Sequence, residues 1–122
     1  MNAGDTFLPP RPYNHLQMVI SDPSLDASKL VMVSFTTHTP NEEQLCIVEK
    51  GEHPFVIVKT AVRYKDARLA SVVQLEMLVS RGMIQPHSPL SQDLLNRVRA
   101  GAALSDFLPE GCRKILAQQG LI

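Results

Sequence analysis

The chain lacks most of the features that would announce a function. It has two cysteines in 122 residues, Cys46 and Cys112, and neither stands near another Cys or His at metal-ligand spacing. A disulfide framework and a structural zinc therefore have nothing to build on. Cys46 falls inside an apolar run and reads as a small core residue. Net charge is absent as well, because twelve basic and twelve acidic side chains cancel, which removes the global field that nonspecific nucleic-acid binders use to gather phosphate. No window approaches the roughly 20 apolar residues of a membrane span, and no cationic start precedes an apolar stretch at the N-terminus. The expectation is a cytoplasmic protein without a membrane partner. The glycines are scattered and form no phosphate loop, so no cofactor is expected, nor any metal.

What is present centres on His15 to Thr37. Two apolar runs, Leu16 to Ser21 and Leu30 to Phe35, flank a polar connection that contains the turn-initiating pair Asp22-Pro23. Each run is too short for a stable helix, and alternate residues (Leu16, Met18, Ile20; Val31, Val33, Phe35) fall on one face, so both predict strands sharing a buried face. Antiparallel pairing would bring His15 near Thr36 and Thr37. A short strand before Pro9-Pro10, another over Gln44 to Val48, a buried run Phe55 to Val58 and a last strand from Thr60 to Tyr64 complete a set with no room for helical crossovers. Loops of this length predict a small antiparallel, partly closed barrel, since closure removes exposed edges.

Beyond Leu69 the pattern changes. Leu75, Leu78 and Val79 recur at helical spacing before Gly82, although Val72-Val73 keeps a strand reading open, and Pro86-His87-Ser88-Pro89 reads as a turn. Ser91 is an N-cap for an amphipathic helix over Gln92 to Ala100, ended by Gly101. Pro109-Glu110 starts another, stopped by Gly120. The chain thus reads as a single domain over 1–122, with a β-barrel to about residue 69 and a helical extension over about 70–122 packed on it. The basic clusters Arg63, Lys65, Arg68 and Arg97, Arg99 read as solvated faces.

Gly4-Asp5, the strand from His15 ending Val19-Ile20-Ser21-Asp22, the run Val31-Met32-Val33-Ser34-Phe35-Thr36-Thr37 and the stretch Val62-Arg63-Tyr64-Lys65-Asp66-Ala67-Arg68-Leu69 together resemble the MazF/PemK family of toxin-like proteins. The resemblance covers roughly residues 4–69, and Ser91 to Ala100 is similar to that family's C-terminal helix. It implies an SH3-like β-barrel, a homodimer, metal-independent cleavage of single-stranded RNA, and neutralisation by an antitoxin peptide. Active members carry an arginine where this chain has His15 and a threonine where it has Thr37. An imidazole can shuttle protons near neutral pH but lacks the bidentate fork with which arginine holds a phosphate. The segment from Phe7 to His15 is also shorter than the Gly-rich loop of many members, and residues 70–88 look like an insertion.

The candidate site is therefore His15 and Thr37 as catalytic residues, with Arg11, Thr36 and His53 as substrate-binding residues. The cleavage chemistry needs a base, an acid and donors to the phosphate. Plainer readings stand beside each of these. The threonines suit a strand end, His15 a strand edge with one backbone partner, and His53 a compact turn whose Phe55 plugs the core. Two functions follow: a divergent MazF/PemK-like, RNA-binding protein with weak or altered endoribonuclease activity, or a non-enzymatic module on the same barrel that holds an antitoxin or other protein partner.

Overall fold

The computed structural model describes residues 1–10 and 15–122. Among the described residues the chain forms β1 (Thr6–Leu8), β2 (Gln17–Val19), β3 (Leu30–Thr37), β4 (Ile47–Val48), β5 (Thr60–Ala70), α1 (Val72–Ser80), β6 (Gln85–His87), α2 (Gln92–Leu104) and α3 (Glu110–Gln118). The strands make one six-stranded sheet in the order β4-β5-β3-β2-β1-β6. All pairings are antiparallel, and the sheet curls into a half-barrel. The mainly β architecture with helices at the C-terminal end agrees with the reading of the sequence.

Both faces of the sheet are covered. Leu16, Met18, Ile20, Val31, Val33, Phe35, Val62 and Tyr64 form the larger core with Leu94, Leu95 and Val98 of α2 and Cys112, Ile115 and Leu116 of α3. On the other face Phe7, Val19, Leu30, Met32 and Ala70 pack against Leu75 of α1. Alternation thus holds, but the polar-outside half expected of a simple barrel is replaced near α1 by a second apolar layer. Cys46 is buried in the larger core, as expected.

The helix signals are realised in detail. Ser91 Oγ accepts from the Leu94 N–H at 3.1 Å, and Ser71 Oγ accepts from the Gln74 N–H at 3.0 Å. Gly82 and Gly120, at φ 69° and 70°, end α1 and α3. The following N–H groups of Met83 and Leu121 reach back to Leu78 O and Leu116 O, the paired bonds of a Schellman stop.

Four element readings are corrected. Phe55 to Val58 is not a strand: Gly51 N–H bonds Val56 O and Val56 N–H bonds His53 O, so the backbone closes on itself as a turn and leaves Ile57 and Val58 71% and 52% exposed. Pro86-His87 is not a turn but lies in β6, opposite Phe7 and Thr6. Proline is tolerated there because β6 is an edge strand. β5 runs past Tyr64 to Ala70, and α2 runs past Gly101 to Leu104. Arg97 and Arg99 are not merely a solvated face, since Arg97 donates to Ile47 O at 2.7 Å and pairs with Glu52, while Arg99 donates to Ile20 O at 2.8 Å. They bolt α2 to the sheet.

Gly101 is needed inside the helix for close approach rather than as a stop. The fully buried Tyr64 donates its hydroxyl to Val98 O at 2.7 Å, and a Cβ on residue 101 would lie 2.1 Å from that hydroxyl oxygen. Gly101→Ala should therefore destabilise the protein by about 1–3 kcal/mol through overpacking, despite the better helix propensity of alanine. Gly111→Ala, where the added Cβ meets nothing within 4 Å, should stabilise it by about 0.4–1 kcal/mol. Urea denaturation of the two variants checks the pair, and equal shifts of the midpoint would refute this account of Gly101.

Candidate functional site

Three of the five residues singled out in the sequence meet at one end of the interior strands. His15, Thr36 and Thr37 line a cleft of about 320 Å³ with Phe35, Phe55, Ile57, Val58 and Thr60. The pairing of β2 with β3 brings His15 here, because Leu16 O accepts from the Phe35 N–H at 2.9 Å and so holds the start of β2 beside the end of β3. Thr37 lies opposite Thr60 of β5, whose hydroxyl is turned back onto Val58 O at 2.9 Å. The cleft therefore has apolar walls with an imidazole and two hydroxyl groups at its rim. Arg11 lies outside the described residues.

The orientation of His15 follows from elementary hydrogen-bond chemistry. Its Nδ1 lies 3.1 Å from Phe35 O. A carbonyl oxygen only accepts, so Nδ1 carries the proton, and among the described residues Nε2 has no hydrogen-bond partner. The side chain is exposed. An imidazole fixed through one nitrogen with the other free is poised to take a proton from a bound group.

His53 occupies a different position. It is 3% exposed and lies behind the cleft rather than on its wall. Nε2 donates to Ser88 O at 2.6 Å and Nδ1 accepts from the Phe55 N–H at 3.1 Å, so the ring is held as the neutral Nε2–H tautomer. Ser88 O also accepts from the Thr6 hydroxyl at 2.7 Å, which uses both of its lone pairs. Since His53 follows β4 and Ser88 follows β6, these bonds fasten the two edges of the curled sheet where no strand pairing does. The same loop carries Phe55, Ile57 and Val58 into the cleft. His53 thus shapes the cleft without lining it.

His15 also borders a second cleft, of about 340 Å³, with Pro9, Gln17, Met32, Val33, Ser34, Asp66 and Arg68. A bulge creates it. β3 advances two residues from Met32 to Ser34 while β5 advances five, from Arg68 back to Arg63. The irregularity exposes Lys65 and Asp66 between the buried Tyr64 and Ala67, and sets Arg68 opposite Met32. Arg68 donates to Gln17 Oε1. Arg68 is exposed, as the solvated-face reading expected; that it also borders a cleft was signalled only by the broken alternation across Tyr64 to Ala67.

Among the described residues no three His, Cys, Asp or Glu side chains gather as metal ligands. No helix there is long and apolar enough to cross a membrane. The chain matches no protein-family model, and neither a curated protein nor a solved structure matches it. The likeness to the MazF/PemK family rests on the quoted residues alone.

Burial, and to a lesser degree the neighbouring His87 ring, push the His53 pKa below its ordinary value near 6.5, although the bond to Ser88 O acts the other way. An unfolded imidazole therefore takes up a proton at a pH where the folded one does not. The stabilisation is complete above about pH 6.5 and is lost as pH falls through the depressed folded value. His53→Phe should cost about 1–3 kcal/mol at pH 7.5 by leaving the Phe55 N–H without its acceptor. It should also flatten the decline between pH 7.5 and 5.5. Urea midpoints at the two pH values test this, and an unchanged pH dependence in the variant would remove His53 as its source.

Proposed function

We propose that the protein is a divergent, SH3-like member of the MazF/PemK type that binds single-stranded RNA at the His15 cleft and cleaves it by a metal-independent reaction. The observation that supports the reading is the fixed tautomer of His15, with Nδ1–H spent on Phe35 O, on the wall of a cleft that Thr37 also lines. In this scheme Nε2 takes the proton of the ribose 2′-hydroxyl, whose oxygen attacks the adjacent phosphorus as the 5′-oxygen of the next nucleotide leaves. A 2′,3′-cyclic phosphate forms, and the imidazolium returns its proton to the leaving oxygen. Thr37 donates to a phosphate oxygen on which charge grows. The cytoplasm and a homodimer are the setting that goes with this reading.

A second reading has its own support. Ile57 and Val58 stand exposed on the cleft wall, and such side chains suit a module that holds a protein partner, an antitoxin segment among them, without cleaving anything.

Cleavage of single-stranded RNA in the presence of a chelator separates the two. His15→Ala should lower the rate on the order of 100- to 10,000-fold, as for a lost general base. Thr37→Val should lower it on the order of 10- to 100-fold, the worth of one hydrogen bond to a charged group. His15→Arg, which installs the residue of active family members, should cleave faster than the native chain. If native and His15→Arg proteins both leave RNA uncut and bind it no better than a neutral control protein does, the nuclease reading gives way to the binding module.

A further inference from the structure

The cleft beyond His15 contains a cation that is set for an anion. Arg68 spends one guanidinium hydrogen bond on the neutral amide oxygen of Gln17, and among the described residues no carboxylate pairs with it. Asp66, the acid of the same cleft, lies 3.4 Å from Arg63 instead. Desolvation by its surroundings pushes the Arg68 pKa below the ordinary arginine value. Arg68 is nevertheless exposed overall, so its guanidinium is open to an incoming ligand, and it stays charged at any physiological pH. By accepting from Arg68, Gln17 Oε1 turns its own Nε2 into a remaining donor, and the half-buried Ser34 adds a hydroxyl. The cleft is rich in donors.

The two clefts meet at His15 but differ in chemistry. One has Phe35, Phe55, Ile57 and Val58 as walls, which suit the flat face of a base; the other has Arg68, Gln17 and Ser34, which suit a phosphate. We infer that single-stranded RNA crosses the strand ends at His15 with a nucleobase in the Phe55 cleft, the scissile phosphate by Thr37, and a neighbouring phosphodiester bound by Arg68 and Gln17. This rests on the RNA reading above and adds to it a binding residue and a direction across the sheet.

The test is fluorescence anisotropy with a short, labelled 2′-O-methyl RNA of mixed sequence, which cannot be cleaved through its 2′ position, measured over a salt series. Arg68→Gln keeps the stem and a donor but not the charge. It should weaken binding about tenfold or more, and should make the slope of log affinity against log salt shallower by about 0.7, the share of one phosphate contact on a single strand. Arg68→Lys should keep the native slope with only part of the affinity, since charge remains and the fork is lost. Lys65→Ala, exposed beside the bulge but off the cleft wall, should change neither. RNA bound by Arg68→Gln with native affinity and slope would overturn the assignment of Arg68 while leaving the RNA reading intact. No RNA binding by the native chain would overturn both, as would an acidic peptide held through Arg68 in place of RNA. Should Arg68→Gln fail to fold, the native slope retained by Arg68→Lys supports the proposal, and a slope lost there overturns it.

Discussion

Pairing between β3 and β5 determines the form of the rest of the molecule, because this ribbon is long, central and buried on both sides over much of its length. A strand covered on two faces cannot slip by one residue without exchanging two sets of apolar contacts, so its register is held firmly. What the ribbon cannot do is remain regular. Between paired positions four residues of β5 stand against one of β3, and the surplus turns Lys65 and Asp66 outward. The same surplus carries Ala70 to the α1 side, where Ser71 caps the helix at once. One local irregularity therefore serves two ends: it delivers the chain to its second layer, and it opens the Arg68 cleft at the boundary between covered and uncovered sheet.

The opposite constraint acts at the edges. A curled sheet with short terminal strands presents unpaired backbone groups, and here the two edges are joined through one side chain rather than a ladder. His53 suits this role because a neutral imidazole can donate at one nitrogen and accept at the other, so a single ring bonds its own loop and Ser88 together. The cost is sensitivity to protons, since a charged ring would lose its acceptor. The link also bears on the site, for the loop it fastens is the one that supplies Phe55, Ile57 and Val58 to the cleft wall. Fold stability and cleft shape thus share a residue that does not line the cleft.

How much of this could be read from the chain alone depended on whether the signal was local. Helix caps and stops are written in three or four neighbouring residues, and Ser91, Gly82 and Gly120 act as their types predict. The meeting of His15 with Thr36 and Thr37 needed only one hairpin-like pairing, so it too was legible. The Phe55 to Val58 run misled because apolar content marks burial or a binding wall equally well, and only the turn bonds around Gly51 decide between them. Pro86 misled because an edge strand can hold a residue that a central strand cannot. Gly101 was taken for a stop, when its function is set by Tyr64, a residue far away in the sequence. Arg68 was hidden for the same reason: its place depends on a bulge whose size is fixed by long-range register.

On the proposed RNA-binding reading, the distribution of charge reconciles a neutral chain with an anionic ligand. Glu42 and Asp66 are held by Arg63, and Glu52 by Arg97. Hydrogen bonds from Arg97, with a backbone bond from Glu49, hold the Glu52 carboxyl below its ordinary value, which keeps the pair ionised and self-cancelling at neutral pH. Glu43 accepts from the buried Ser105 hydroxyl. Such pairing leaves little field at a distance, and a neutral protein gains no long-range steering. It does not weaken a contact made at hydrogen-bond distance inside a cleft, where the guanidinium of Arg68 bonds the Gln17 amide and the cleft's acid, Asp66, pairs with Arg63. A ligand chosen in this way is recognised after it arrives rather than gathered from solution. That is the behaviour the proposed RNA reading requires of a site that selects one strand segment by fit, with a base on one side of His15 and a phosphate on the other.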